Sequence, residues 1–126
     1  MRLLPIVLAS LLPIAAHAEC SQRDLEGRWV AMVGFEGTGA WSRCDLRITS
    51  AGRSIGSCLL PNGNVVIAEP GQFRVNGDCS VTGERQNGLA TSSGRLQADK
   101  RGIIGRVSVE RRRALLRRRF VAVKRG

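Results

Sequence analysis

Little in this chain of 126 residues can carry out covalent or acid–base chemistry. It has four cysteines, one histidine and no tyrosine. The cysteines, Cys20, Cys44, Cys58 and Cys79, are 24, 14 and 21 positions apart. A zinc site wants closely spaced pairs, so this spacing offers none, whereas an even number of cysteines in a short exported chain reads as two disulfides. Serine and cysteine nucleophiles usually need an imidazole to take their proton, and His17 lies in the leader described below. The carboxylate pairs Asp24 with Glu26 and Asp78 with Glu84 stand beside glycine-rich turns and read as turn formers. The chain is therefore expected to be a binding protein and not an enzyme, with no cofactor and no metal.

Export is read from the start of the chain. Arg2 precedes a fourteen-residue run, Leu3 to Ala16, and Ala16-His17-Ala18 has the small-x-small pattern of signal peptidase cleavage. Residues 1–18 are thus expected to be a signal peptide and Glu19 the mature N-terminus. The run is shorter than the about 20 apolar residues of a membrane helix and is broken by Pro5 and Pro13. A periplasmic or secreted protein without a transmembrane segment follows, with residues 19–126 as a single domain.

Charge is unevenly placed. The formal net charge is +10, but residues 111–126 hold Arg111, Arg112, Arg113, Arg117, Arg118, Arg119, Lys124 and Arg125 without an acid, while residues 19–110 carry eleven bases against ten acids. Such a basic patch attracts polyanions, an anionic envelope surface among them. Stacking on single-stranded bases wants interleaved aromatics, and Phe120 is the one aromatic there, so no nucleic-acid partner is expected. Residues 111–119 stay open between a loop, a frayed helix and the start of the last strand; a solvated basic loop is the plainer reading.

The elements that must position these residues are strands. Runs rich in Val, Ile, Leu and Thr recur about every 8–12 residues, the spacing of a β-sandwich or barrel: 27–35, 41–49, 53–60, 64–68, 71–75, 79–84, 89–98, 103–109 and 117–124. Asn62-Gly63, Asn76-Gly77 and Asn87-Gly88 mark tight hairpin turns. Trp29, Ala31, Val33 and Phe35 share one side of the first run, and Cys44, Leu46 and Ile48 one side of the second, opposite Asp45 and Arg47. If Ser50-Ala51-Gly52 is a three-residue loop, Thr49 faces Arg53 and Cys44 lies opposite Cys58, within disulfide reach. Cys20 would then pair with Cys79, although four cysteines allow three connectivities.

Leu25-Glu26-Gly27-Arg28-Trp29-Val30 resembles the opening strand of lipocalin-like and avidin-like barrels, in which the indole closes one end. With Cys44-Asp45-Leu46-Arg47-Ile48 and Cys58-Leu59-Leu60-Pro61, residues 25–61 resemble the bacterial periplasmic inhibitors of serralysin-type metalloproteases. The resemblance implies an all-β fold, a small antiparallel up-and-down barrel of about eight strands, with Trp29 closing the barrel, and it also favours a Cys44–Cys58 bond. It further implies an inhibitory trunk, Glu19, Cys20, Ser21, Gln22, Arg23 and Asp24, that restrains a metalloprotease. The chain departs from the family in its glycine-rich segment 34–39, its second cysteine pair and its arginine-rich ending. The other readings are a cell-envelope barrel that binds an anionic partner through Arg111–Arg113 and Arg117–Arg119, and a small-ligand carrier.

Overall fold

A computed structural model describes residues 19–35, 39–86, 88, 90–111 and 114–126. The signal-peptide reading of residues 1–18, part of the glycine-rich segment, Asn87, Arg112, Arg113 and the Arg111 side chain lie outside the described residues. A short 3₁₀ turn, Gln22–Leu25, leads into β1 (Gly27–Phe35), β2 (Trp41–Ile48), β3 (Arg53–Leu59), β4 (Val65–Val75), β5 (Ser80–Arg85), β6 (Ala90–Leu96), β7 (Gly102–Arg111) and β8 (Ala114–Arg125). Each strand pairs with the next and β8 returns to β1, so the sheet closes into an antiparallel up-and-down barrel.

The pleat sorts the side chains. Along β1, Trp29 and Ala31 are buried in the lumen, and along β2 the buried Ser42, Cys44 and Ile48 alternate with the exposed Arg43, Asp45 and Arg47. Along β2 the pleat thus puts charge outside and apolar groups inside. Thr49 N donates to Arg53 O at 2.9 Å across the loop, and the register that follows places Cys44 opposite Cys58. The disulfides are Cys44–Cys58 and Cys20–Cys79.

Two sequence expectations need correction. Runs 64–68 and 71–75 are one strand, β4, bent by a bulge: Ser54 pairs with Gly71 and Gly56 with Ala68, leaving Glu69 and Pro70 opposite Ile55. Proline lacks the ladder N–H and is tolerated at such a bulge; Ser54 Oγ accepts the Gly71 N–H at 3.1 Å. Within the arginine-rich segment, Ala114–Arg125 is a strand and not a solvated loop. β7 and β8 pair from Gly102↔Val123 to Arg111↔Ala114, because backbone ladder bonds satisfy the polar groups that a loop would leave to water.

One end of the barrel is shut. Leu25 is fully buried there, and Trp29 Nε1 donates to its carbonyl at 2.8 Å. Lys124 Nζ donates to Asp24 O at 2.9 Å and stands over the indole, 5.6 Å from its centroid. Gly52 adopts φ +87°, and a Cβ there would collide with the Phe73 carbonyl and the Gln22 amide. Only glycine lets the β2–β3 loop, β4 and the N-terminal segment meet so closely.

Trp29→Ala would remove the end wall and leave a cavity beneath Leu25. It is expected to cost about 3–5 kcal/mol, read as a lower denaturant midpoint in equilibrium unfolding, and a midpoint equal to wild type would show that the indole does not close the barrel.

Candidate functional site

The candidate site is the lumen above Trp29. It holds a cavity of about 130 Å³ whose wall includes Trp29, Ala31, Cys44, Cys58, Phe73, Ala90, Phe120 and Ala122. Small side chains and glycines leave room for two aromatic rings. A Cβ at Gly83 would stand 2.6 Å from the Phe73 ring, and one at Gly105 2.7 Å from that of Phe120. These rings narrow the lumen, and the alanines facing it keep it open. Glu69, Glu84 and Arg85 line the other end of the cavity, where Arg85 Nη1 lies 3.9 Å from Glu69 Oε2. Ser42, one step along β2 from Cys44 on the inward face, has a buried Oγ without a hydrogen bond among the described residues. The site is an apolar slot with a mixed-charge rim at the mouth, the barrel end bounded by the β1–β2, β3–β4, β5–β6 and β7–β8 turns.

The remaining sequence-derived residues lie outside the lumen. Residues 19–24 fold across the closed end. Cys20 is buried and bonded to Cys79, and its N–H donates to Gly77 O at 3.3 Å. Gln22 bridges to β4, donating from Nε2 to Phe73 O at 2.8 Å and accepting the Val75 N–H on Oε1 at 3.1 Å. Lys100 Nζ donates to Glu19 O at 3.1 Å and pairs with Asp24 Oδ2 at 3.3 Å. The side chains of Ser21 and Arg23 are exposed. The trunk is therefore a cap on the barrel, tied down along its length.

Within the basic segment, Arg117 and Arg119 are exposed on β8, and Arg118 is half-buried with its guanidinium 4.1 Å from the Phe35 ring centroid. Arg119 is the direct partner of Arg106, and Arg28 of both Arg47 and Arg125. Like charges directly opposed on adjacent strands are destabilising, so the outer wall is strongly cationic at a cost in stability. No cluster able to hold a metal ion occurs among the described residues.

Sequence reasoning found the wall through its alternation and the end wall through Gly27-x-Trp29. It missed the Phe73 and Phe120 rings lying over their cross-strand partners Gly83 and Gly105, and the polar rim, because which residues of separate strands become neighbours leaves no local signal.

With this geometry in place, comparison with known proteins gives the fold class. No protein-family model matches the chain, and no curated protein matches it. Among solved structures it is similar to the siderocalin Ex-FABP, described as functioning through dual ligand specificities, with a TM-score of 0.53 and 8% identity over 81% of this chain and 71% of that one. The chain is a lipocalin-like barrel in fold. Its two disulfides are consistent with a secreted protein, and no helix among the described residues is long and apolar enough to cross a membrane.

The cap has a pH signature. The Ser21 N–H, donating to Asp24 Oδ2 at 2.8 Å, holds the Asp24 carboxyl below its ordinary 3.8 against the opposing effect of burial, with the Lys100 and Lys124 ammonium groups adding smaller contributions in the same downward direction. Hydrogen bonds from Ser80 lower Asp78 in the same way. A carboxylate depressed in the folded state stabilises above its unfolded pKa and loses that contribution as pH falls through its folded value. Thermal stability is therefore expected to decline as pH drops below about 4, and Asp24→Asn to flatten that decline. An unchanged slope in melts of the variant would remove Asp24 from the account.

Proposed function

We propose that this protein is a non-enzymatic, extracytoplasmic binding protein that takes a small, largely apolar molecule into its lumen, with any polar end of the ligand at the Glu69–Glu84–Arg85 rim. One observation carries the reading: an apolar cavity of about 130 Å³ enclosed by the barrel wall and shut at one end by Trp29. Pockets for drug-sized ligands are roughly 300–1,000 Å³, whereas an apolar cavity of about 150 Å³ takes up benzene. The slot therefore suits a single ring or a short hydrocarbon chain. Likeness to a barrel described as having dual ligand specificities supports ligand binding as the use of the fold.

Ligand that binds only the folded state raises its stability. In a series of straight-chain carboxylates and small aromatics, some members are expected to raise the melting temperature, and Ala90→Leu, which fills the slot, to abolish the rise. Arg85→Ala is expected to weaken the carboxylates and spare the neutral aromatics. A series without any thermal shift would overturn the lumen reading.

The second reading is restraint of a periplasmic or secreted metalloprotease by residues 19–24. What favours it is preorganisation: Cys20–Cys79 and Gln22 hold the segment in one conformation with Ser21 and Arg23 outward, and a segment already ordered pays less entropy on binding. Contact would be made by those two side chains, since Lys100 and Lys124 occupy the Glu19 and Asp24 carbonyls. Titration against a serralysin-type protease should then show inhibition that Arg23→Glu weakens at least about tenfold; protease activity untouched by excess protein would dismiss this reading.

A further inference from the structure

The mouth carries apolar groups that the barrel does not bury. Val65, Val66 and Ile67 are consecutive on β4 and all exposed, Ile67 at 88% and Val65 at 70%. Consecutive strand residues point to opposite faces, so both faces of this end of the β3–β4 hairpin are apolar and wet. β4 is moreover laddered to β5 only from Gly71 onward; beyond it Pro70 O accepts the Gln86 N–H, Glu69 faces Arg85, and Val65–Ala68 pair with β3. The β7–β8 hairpin also exposes apolar groups: Leu115 is 58% exposed and Leu116 also exposed, and among the described residues the β1–β8 pairing ends at Arg118. A third turn contributes Trp41, 48% exposed at the start of β2 with its indole against Gly34.

These features share one end of the molecule. In a closed ring of eight strands the β3–β4 and β7–β8 hairpins are diametrically opposite, with Trp41 on the arc between them. Cations stand among these apolar residues. Arg119 is opposite Arg106 and pairs across β1 with Gly34, which in turn pairs with Trp41. Arg117 is one pleat nearer the β8 tip, and Arg43 pairs with Leu59, itself paired with Val65.

We propose that the mouth end docks on an anionic lipid bilayer surface, with Ile67, Leu115 and Trp41 entering the headgroup–acyl boundary and Arg106, Arg117 and Arg119 pairing with lipid phosphates. Exposed apolar groups and arginines at one end suit the boundary of such a surface: apolar groups bury shallowly while cations pair with the headgroups, and indoles favour that interface. A soluble polyanion would leave the tips in water, and a second copy docked mouth to mouth would face the arginines with their own kind. Docking does not depend on lumen occupancy, so it stands or falls apart from the ligand reading.

The test is flotation of the mature protein with vesicles of phosphatidylcholine alone and with vesicles containing about one-third phosphatidylglycerol, together with fluorescence quenching by brominated lipid. Binding is expected on the anionic vesicles, at least about tenfold weaker on neutral ones and weakened by salt. Bromolipid should quench Trp41 while the buried Trp29 stays bright, so Trp41→Phe removes the quenching. Ile67→Asp with Leu115→Asp, both at exposed positions and checked by an unchanged melt, should lower partitioning roughly tenfold or more. Equal binding to both vesicles, no binding at all, or a double variant that binds like wild type would each overturn the proposal; the last would assign the arginines to a soluble polyanion instead.

Discussion

The contact on which the rest of the structure depends is the hydrogen bond from Trp29 Nε1 to the Leu25 carbonyl, made inside the closed end of the barrel. An indole is the largest apolar group available to fill the cross-section of the lumen, and its N–H is tolerable there only if paired. Leu25 supplies both the partner and a second apolar layer, but only if the 3₁₀ turn folds back over the barrel. Closure of the sheet, placement of the N-terminal segment and emptiness of the upper lumen therefore follow from one arrangement. With the floor sealed by Trp29 and Leu25, the wall above it need not be packed solid.

Two kinds of residue share the space above that floor. Phe73 and Phe120 lie over their direct cross-strand partners, Gly83 and Gly105, which have no Cβ to obstruct the rings, and alanines at 31, 68, 90 and 122 hold the remainder open. A small barrel is commonly filled by its own side chains. This one is partly filled, which leaves a slot of ring or short-chain size.

The N-terminal segment shows how local chemistry is redirected by tertiary contacts. Asp24 reads from sequence as a turn former within an inhibitory trunk; in the structure its carboxylate accepts the Ser21 N–H and pairs with Lys100, and its carbonyl accepts from Lys124. Each bond ties the segment to the barrel end, with the Cys20–Cys79 bridge as the covalent anchor. The arginines tell a complementary story. Cross-strand pairing sets Arg106 against Arg119, and Arg28 against both Arg47 and Arg125, so charge dispersed along the sequence is concentrated on the outer wall.

By itself the sequence determined what is local and periodic. Alternation in Trp29–Phe35 and Cys44–Ile48 assigned the inward faces, because a pleat reverses side chains every residue. The three-residue loop at Ser50–Gly52 set the register that brings Cys44 to Cys58, because a hairpin loop fixes every pairing beyond it. The strands and their meander order were legible for the same reason. Only the tertiary structure decided that residues 64–75 are one bulged strand, that β8 begins at Ala114, that residues 19–24 cap the barrel, and that Val65, Ile67, Leu115 and Trp41 share one end. These are properties of a closed ring, in which residues far apart in the chain meet across a lumen or around a rim, and no periodicity in one strand records what the opposite strand presents.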